Sequence, residues 1–240
     1  MSTLAKVPIL FLYSYFWRIV FTPPQPPAPK EERYKSSSLD KPESINWRMK
    51  IVYLGIDVMS TLEAASIIAT TYPSLPISQF ITKFLHRLFP AGHPEQLSLN
   101  WYSFVGFILV ATGALIRFLS YRALGQFFRF EPSMQKNHQL ITTGPYSLVR
   151  HPGYTGVALA VLGWLLWAGA PGSWPRESGL LKNITATIVF AVWAVRFNII
   201  IPFILIPRIP IEDSELQKRF GEEWDGWANR VPYVLIPGVY

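Results

Sequence analysis

The stretch WYSFVGFILVATGALIRFLS, residues 101–120, carries one charge, Arg117, in twenty positions. A helix of about 20 apolar residues matches the hydrocarbon core of a bilayer, so this run reads as a membrane span. Further apolar runs occupy about 7–21, 51–72, 154–171 and 184–207. Hydrophobic residues make up 50% of the chain and charged residues 15%. It is their gathering into blocks that separates a membrane protein from an apolar soluble domain. The expectation is an all-α, polytopic integral membrane bundle of about five transmembrane helices plus an amphipathic C-terminal helix. Lys6 and the apolar Val7 to Tyr15 would suit a signal peptide. Arg18 interrupts the run and no small-residue cleavage site follows, so a retained first helix is expected.

The net charge of +7 has its origin in topology. With five spans, fourteen Lys and Arg fall on one side and five (Lys6, Lys83, Arg87, Arg176, Lys182) on the other. The positive-inside rule places the richer side, with segments 121–153 and 208–240, in the cytosol. A basic surplus of this kind gives no reason to expect nucleic acid. There are no cysteines, which excludes disulfides, thiolate catalysis, thiolate metal sites and palmitoylation. No glycines stand at Gly-x-Gly spacing, so neither a dinucleotide fingerprint nor a phosphate loop is present. His86, His93, His138 and His151 form no metal-binding pair, and no metal is expected.

Two regions are expected. Residues 1–119 form an N-terminal membrane region with a Pro-rich linker at 22–46, and residues 120–240 a core with a motif-bearing segment at 131–156. The linker opens with Thr22-Pro23-Pro24-Gln25-Pro26-Pro27-Ala28-Pro29, a stiff polyproline-type spacer. Residues 77–89 set Ile77, Phe80, Ile81, Phe84, Leu85, Leu88 and Phe89 at helical spacing opposite Lys83, His86 and Arg87. Such a helix either lies in the membrane interface or packs on the bundle as a loop helix. Over 212–230, Leu216, Phe220, Trp224, Trp227 and Val231 make one apolar face, and Gly221 in its interior allows a bend. Pro202 is expected to kink the last span. Arg196, inside that span, reads equally as a functional intramembrane charge or as a snorkelling anchor.

Two segments could carry chemistry. One runs from His138-Gln139-Leu140-Ile141 through Gly144-Pro145-Tyr146 to Arg150-His151-Pro152-Gly153-Tyr154-Thr155-Gly156. Pro152 suits the first turn of the following span, where its missing N–H would have no partner in any case. His151 by itself reads as a capping residue; beside Arg150, Tyr146, Tyr154 and His138 it reads as part of a site. The other segment is Arg208-Ile209-Pro210-Ile211-Glu212-Asp213-Ser214-Glu215-Leu216, running on to Phe220-Gly221-Glu222-Glu223-Trp224. Four residues apart on a helix, Arg208 and Glu212 share a face, so a cation and an anion stand together at the membrane boundary.

Arg-His-Pro-x-Tyr-x-Gly, followed two spans later by Arg-x3-Glu-Asp-x2-Leu-x3-Phe-Gly-x-Glu and then Arg230-Val231-Pro232, resembles the isoprenylcysteine carboxyl methyltransferase family over residues 120–240. The resemblance implies S-adenosylmethionine as methyl donor. As acceptors it implies prenylated protein C-termini or prenylcysteine-like small molecules, met in a multi-pass protein of the endoplasmic reticulum membrane with its site facing the cytosol. It implies cofactor contacts at His138, Gln139, Leu140, Ile141, Tyr146, His151, Pro152, Gly153, Tyr154 and Glu212. It makes Arg208 the substrate-binding residue, with Arg208 and Glu212 as the catalytic pair. Where the family has a cofactor-contacting glutamine this chain has Glu131, a departure that leaves that contact open.

The chemistry agrees. Glu212 offers a counter-charge to a sulfonium, and Arg208 a fork for a carboxylate. An acceptor carboxylate with a pKa of about 3.5 is already ionised at neutral pH and needs no base. The alternatives are a phospholipid (ethanolamine) N-methyltransferase, which would have to deprotonate an ammonium, and a non-catalytic membrane scaffold. Prenyl-chain preference and oligomeric state are not encoded in any motif.

Overall fold

The computed structural model describes residues 3–33, 42–131, 133–196, 198 and 201–239, without the side chains of 42–44, 201, 202 and 204. Among the described residues the chain is helical, with no strand beyond an isolated bridge between Arg33 and Ser133. The helices are α1 (Lys6–Phe21), α2 (Pro42–Thr71), α3 (Pro76–Leu88), α4 (Trp101–Leu124), α5 (Pro152–Gly169), α6 (Trp174–Glu177), α7 (Ile184–Val195), α8 (Ile201–Phe220) and α9 (Glu222–Arg230).

Four stretches among these residues are long and apolar enough to cross a membrane: Thr3–Phe21, Ile45–Thr71, Trp101–Phe127 and Pro152–Glu177. Leu54, Ile108, Leu115 and Leu162 stand exposed along them, which suits a lipid solvent and not water. The fifth expected span, 184–207, is covered by α7 and the first turns of α8; residues 197, 199 and 200 between them lie outside the described residues. The kink expected at Pro202 also falls on a side chain that is not described. Arg196 is exposed at the C-cap of α7.

Two boundaries differ from those expected of the sequence. Helix α2 begins at Pro42, inside the stretch expected as linker. The amphipathic helix expected over 212–230 is instead the second half of α8 followed by α9. Gly221 separates them with a φ of 52°, a conformation that a side chain would strain. Helix α8 also runs through Pro207 and Pro210, each of which removes one intrahelical N–H. In helix α3 the apolar residues Ile77, Phe80, Phe84 and Leu88 are exposed, Phe80 to 65%, and Ser78 is buried.

The chain divides into two compact units. The first comprises Met1–Arg18, Val52–Ala111 and Leu159–Phe197. At its centre Lys6, fully buried, holds Glu63 at 2.5 Å and donates to the carbonyls of Ser98 and Gly172 at 2.8 and 2.9 Å. Tyr13 stacks on Trp167 beside it, with ring centroids 4.7 Å apart. Helices α4 and α5 touch here at Gly106 and Gly163, where a Cβ on either would meet the other's carbonyl at 2.6 Å.

The second unit comprises Ile19–Ile51, Thr112–Ala158 and Asn198–Tyr240. Its core includes Ile45, Tyr121, Phe128 and Phe130, and a second cluster of Tyr146, Trp227 and Val231. A Cβ on Gly156 would lie 2.6 Å from the Gly113 carbonyl, so Gly156 lets the first turns of α5 approach the α4 backbone closely. That approach brings Arg117 of α4 to Gly153, where its Nη1 donates to the carbonyl at 3.0 Å.

Candidate active site

The second unit contains a cavity of about 200 Å³. Of the eleven residues singled out in the sequence, ten line it: His138, Gln139, Leu140, Ile141, Tyr146, His151, Gly153, Tyr154, Arg208 and Glu212. Pro152 is buried at the start of α5 but is not in the lining.

Helix α8 supplies the ion pair. Arg208 and Glu212 lie one turn apart with Nη2 and Oε1 separated by 3.3 Å. Arg208 is further held by donating to the Phe130 carbonyl at 2.7 Å. Glu212 accepts a hydrogen bond from the Tyr154 hydroxyl at 2.5 Å and lies 3.5 Å from His151 Nδ1. The other imidazole nitrogen, Nε2, meets Asp213 Oδ1 at 2.9 Å, and the second oxygen of Asp213 meets Arg150 Nη2 at 3.2 Å. Charges of alternating sign thus run Arg208, Glu212, His151, Asp213, Arg150.

The His-Pro turn is held from outside by the C-terminal tail. The backbone N–H groups of Arg150 and His151 donate to the carbonyls of Tyr233 and Val234, both at 2.9 Å. Arg150 Nη1 donates to the Pro232 carbonyl at 3.1 Å and Thr155 Oγ1 to that of Leu235 at 2.7 Å. Trp227 Nε1 donates to the Tyr146 carbonyl at 3.1 Å. Within the run Arg230-Val231-Pro232, the Pro232 carbonyl takes Arg150 and the Val231 side chain packs with Tyr146 and Trp227. The His151 ring also stacks parallel on Tyr154, with centroids 5.5 Å apart.

Burial by itself would drive the His151 proton off. The hydrogen bonds to Asp213 and Glu212 and the charges behind them outweigh that penalty and raise its pKa to about 9. Burial likewise pushes the Glu212 carboxyl up, but His151, Arg208 and Tyr154 more than offset this and hold it below the ordinary glutamate range. His138 is shifted the other way, lowered by burial and by the Arg219 charge. Its Nδ1 is buried with no partner among the described residues, which suits a ligand's hydrogen bond.

These shifts set a pH dependence. His151 is protonated more readily in the folded protein, so its contribution is complete below about pH 6.5 and is lost as pH rises through 9. Thermal unfolding of the detergent-solubilised protein should therefore show Tm falling between pH 6.5 and 9, and His151→Gln should flatten that fall. Parallel Tm profiles for the two proteins would show that the imidazolium is not the source.

Several lining residues carried no motif. Arg117 is buried, donates to the Val20 carbonyl at 2.7 Å and lies over the ring of Phe130 at 4.8 Å. Phe21, Ile45, Arg48 and Met49 come from the region in which no motif was seen. Arg117 could have been suspected as a charge within an apolar run; the others had no signal. Asp213 stood in the quoted motif without a role, and its contacts to His151 and Arg150 supply one.

Apolar helices of spanning length define a polytopic helical membrane protein, and a largely buried ionic chain lines a cavity in its second unit. The chain belongs to the phospholipid methyltransferase family, whose model matches residues 101–223. It is similar to proteins named as protein-S-isoprenylcysteine O-methyltransferases. A probable one from Oryza sativa subsp. indica is 32% identical over 140 residues, 58% of this chain and 63% of that protein. Protein-S-isoprenylcysteine O-methyltransferase A of Arabidopsis thaliana is 26% identical over 192 residues, 77% of this chain and 85% of that protein. The Rattus norvegicus protein is 28% identical over 172 residues, 70% and 52%. The chain thus spans less than two thirds of the rice and rat proteins' length.

Proposed function

We propose that this protein is an S-adenosylmethionine-dependent carboxyl O-methyltransferase. Its acceptor would be the C-terminal prenylcysteine of prenylated proteins or a related prenylated small acid. It would work in the endoplasmic reticulum membrane with the cavity open to the cytosol. The observation that carries the reading is the Arg208–Glu212 pair inside one cavity with a surplus of cations. Arg48, Arg117, Arg129, Arg150 and Arg208 line it against the carboxylates of Glu131 and Glu212. Such a site attracts an anionic acceptor, and attraction is stronger here than in water.

The donor fits the residues present. Glu212 matches a sulfonium or ammonium, Arg150 and protonated His151 match a carboxylate, and the unpartnered His138 Nδ1 offers one more polar contact. When bound, S-adenosylmethionine supplies a methyl group made electrophilic by its sulfonium. The protein's own part is positioning. Arg208 takes the acceptor carboxylate in its fork, and its bonds to the Phe130 carbonyl and Glu212 fix that fork in direction. Tyr154 and His151 hold Glu212 from the other side. Phe21, Ile45, Met49, Leu124 and Leu205 give the cavity an apolar wall for a prenyl chain. The carboxylate needs no base, and holding reacting groups in line can lower a barrier by about 7–11 kcal/mol.

The description of the matched family favours a second reading, methylation of a phospholipid amine. An ammonium acceptor would have to lose a proton and enter a cavity where cations predominate. Membranes containing the protein, supplied with labelled S-adenosylmethionine and N-acetyl-S-farnesylcysteine, should form a base-labile methyl ester. Label appearing in ethanolamine lipids instead would overturn the carboxyl reading. Failure to bind the cofactor would leave a scaffold.

A further inference from the structure

We infer that Glu131 is a positioning residue: it clasps the proline-rich segment onto the site wall and thereby holds the carbonyl on which Arg208 is oriented. In Pro23-Pro24-Gln25-Pro26-Pro27-Ala28-Pro29 only Gln25 and Ala28 have a backbone N–H to donate. Ala28 is the member of this run that is buried, and its N–H donates to the Glu131 carboxylate. Its carbonyl is taken from the other side by Arg33, whose Nε and Nη2 donate at 2.8 and 2.5 Å. Two residues beyond Glu131 the clasp closes again. Arg33 bridges Ser133 in antiparallel fashion, and the Met134 N–H donates to the Glu32 carbonyl at 2.8 Å.

A polyproline-type segment is stiff and has little internal hydrogen bonding, so its seat depends on these few external bonds. A carboxylate acceptor makes the Ala28 bond charge-assisted and stronger than an amide acceptor would. Phe130, next to Glu131, gives its carbonyl to Arg208 Nη2 at 2.7 Å. Seating the segment thus sets the position of Phe130, and Phe130 aims the guanidinium. Glu131 lines the cavity, but Oε1 is committed to the Ala28 amide, which is at odds with the glutamine-like cofactor contact that the resemblance suggested for this position. The consequence for catalysis rests on the proposed role of Arg208; the clasp itself does not.

Arg33 is absent from the cavity lining, so Arg33→Ala probes the clasp without touching the site. In the full-length protein, Arg33→Ala and Glu131→Ala should each raise the acceptor KM about tenfold, the loss of roughly one buried charged hydrogen bond, while the S-adenosylmethionine KM stays within about twofold. Glu131→Gln keeps an oxygen for the Ala28 N–H and should recover most of the loss. Cleavage after Lys30 by a lysine-specific protease, a readout that needs no activity, should be faster in both alanine variants. A raised S-adenosylmethionine KM with an unchanged acceptor KM in Glu131→Ala would make Glu131 a cofactor ligand and overturn the inference. Unchanged cleavage at Lys30 would remove the clasp. If the wild type forms no ester, the proposed reaction fails, and the cleavage rates still decide the clasp.

Discussion

Glu212→Ala is expected to lower methyl-ester formation by at least about 100-fold, the scale of loss when a reacting group is misplaced by about an ångström. Glu212 meets Arg208, His151 and Tyr154 together. Removing it takes away the counter-charge proposed for a cationic donor and also the group that restrains Arg208. Asp213 cannot substitute, since its two oxygens are engaged by His151 Nε2 and Arg150. Arg208→Lys should be nearly as harmful, because a lysine reaches one acceptor at a time and loses the fork that the Phe130 carbonyl orients. Initial rates with both variants in membranes, normalised to protein and accompanied by cofactor-binding measurements, give the test. A Glu212→Ala enzyme within tenfold of wild type would show that the donor is held elsewhere.

The largest expected stability effect lies in the other unit. Lys6→Met should destabilise the protein by about 3–5 kcal/mol, the usual consequence of breaking a buried ion pair on one side only. Lys6 is completely buried against Glu63, and the carbonyls of Ser98 and Gly172 take its remaining donors. Without it Glu63, itself 2% exposed, is left charged or must take up a proton inside a helix that is apolar enough to span a membrane. Changing both partners, as in Lys6→Met with Glu63→Leu, should restore most of the stability, because two apolar groups leave no stranded charge. Thermal unfolding of the three variants in one detergent measures this. A double variant no more stable than Lys6→Met would mean that the lysine's bonds to the two carbonyls carry the effect.

These two expectations differ in how much of them could be read along the chain. The spacing of Arg208 and Glu212 already placed them on one helical face, and α8 carries them there with 3.3 Å between them. The order of the motifs marked residues 138–154, and most of those named line one cavity with the pair. Lys6 was visible only as a charge before an apolar run. Nothing in its neighbours along the chain announces Glu63, Ser98 or Gly172. Asp213 was quoted in its motif without a function because its partners, Arg150 and His151, lie more than sixty residues earlier.

Apolar length, helical spacing and turn-forming pairs are local properties. From them the sequence alone determined a helical membrane protein with an Arg–Glu pair beyond its last apolar run. The tertiary structure decided what each charge is paired with. Arg117 reaches Val20 and Gly153, Glu131 reaches Ala28, and Phe21, Ile45 and Met49 wall the cavity from the region without motifs. The physical reason is the cost of burying charge. A buried carboxylate or guanidinium must find partners wherever the packed helices offer them, and those partners are set by three-dimensional proximity, which leaves no period or spacing in the chain.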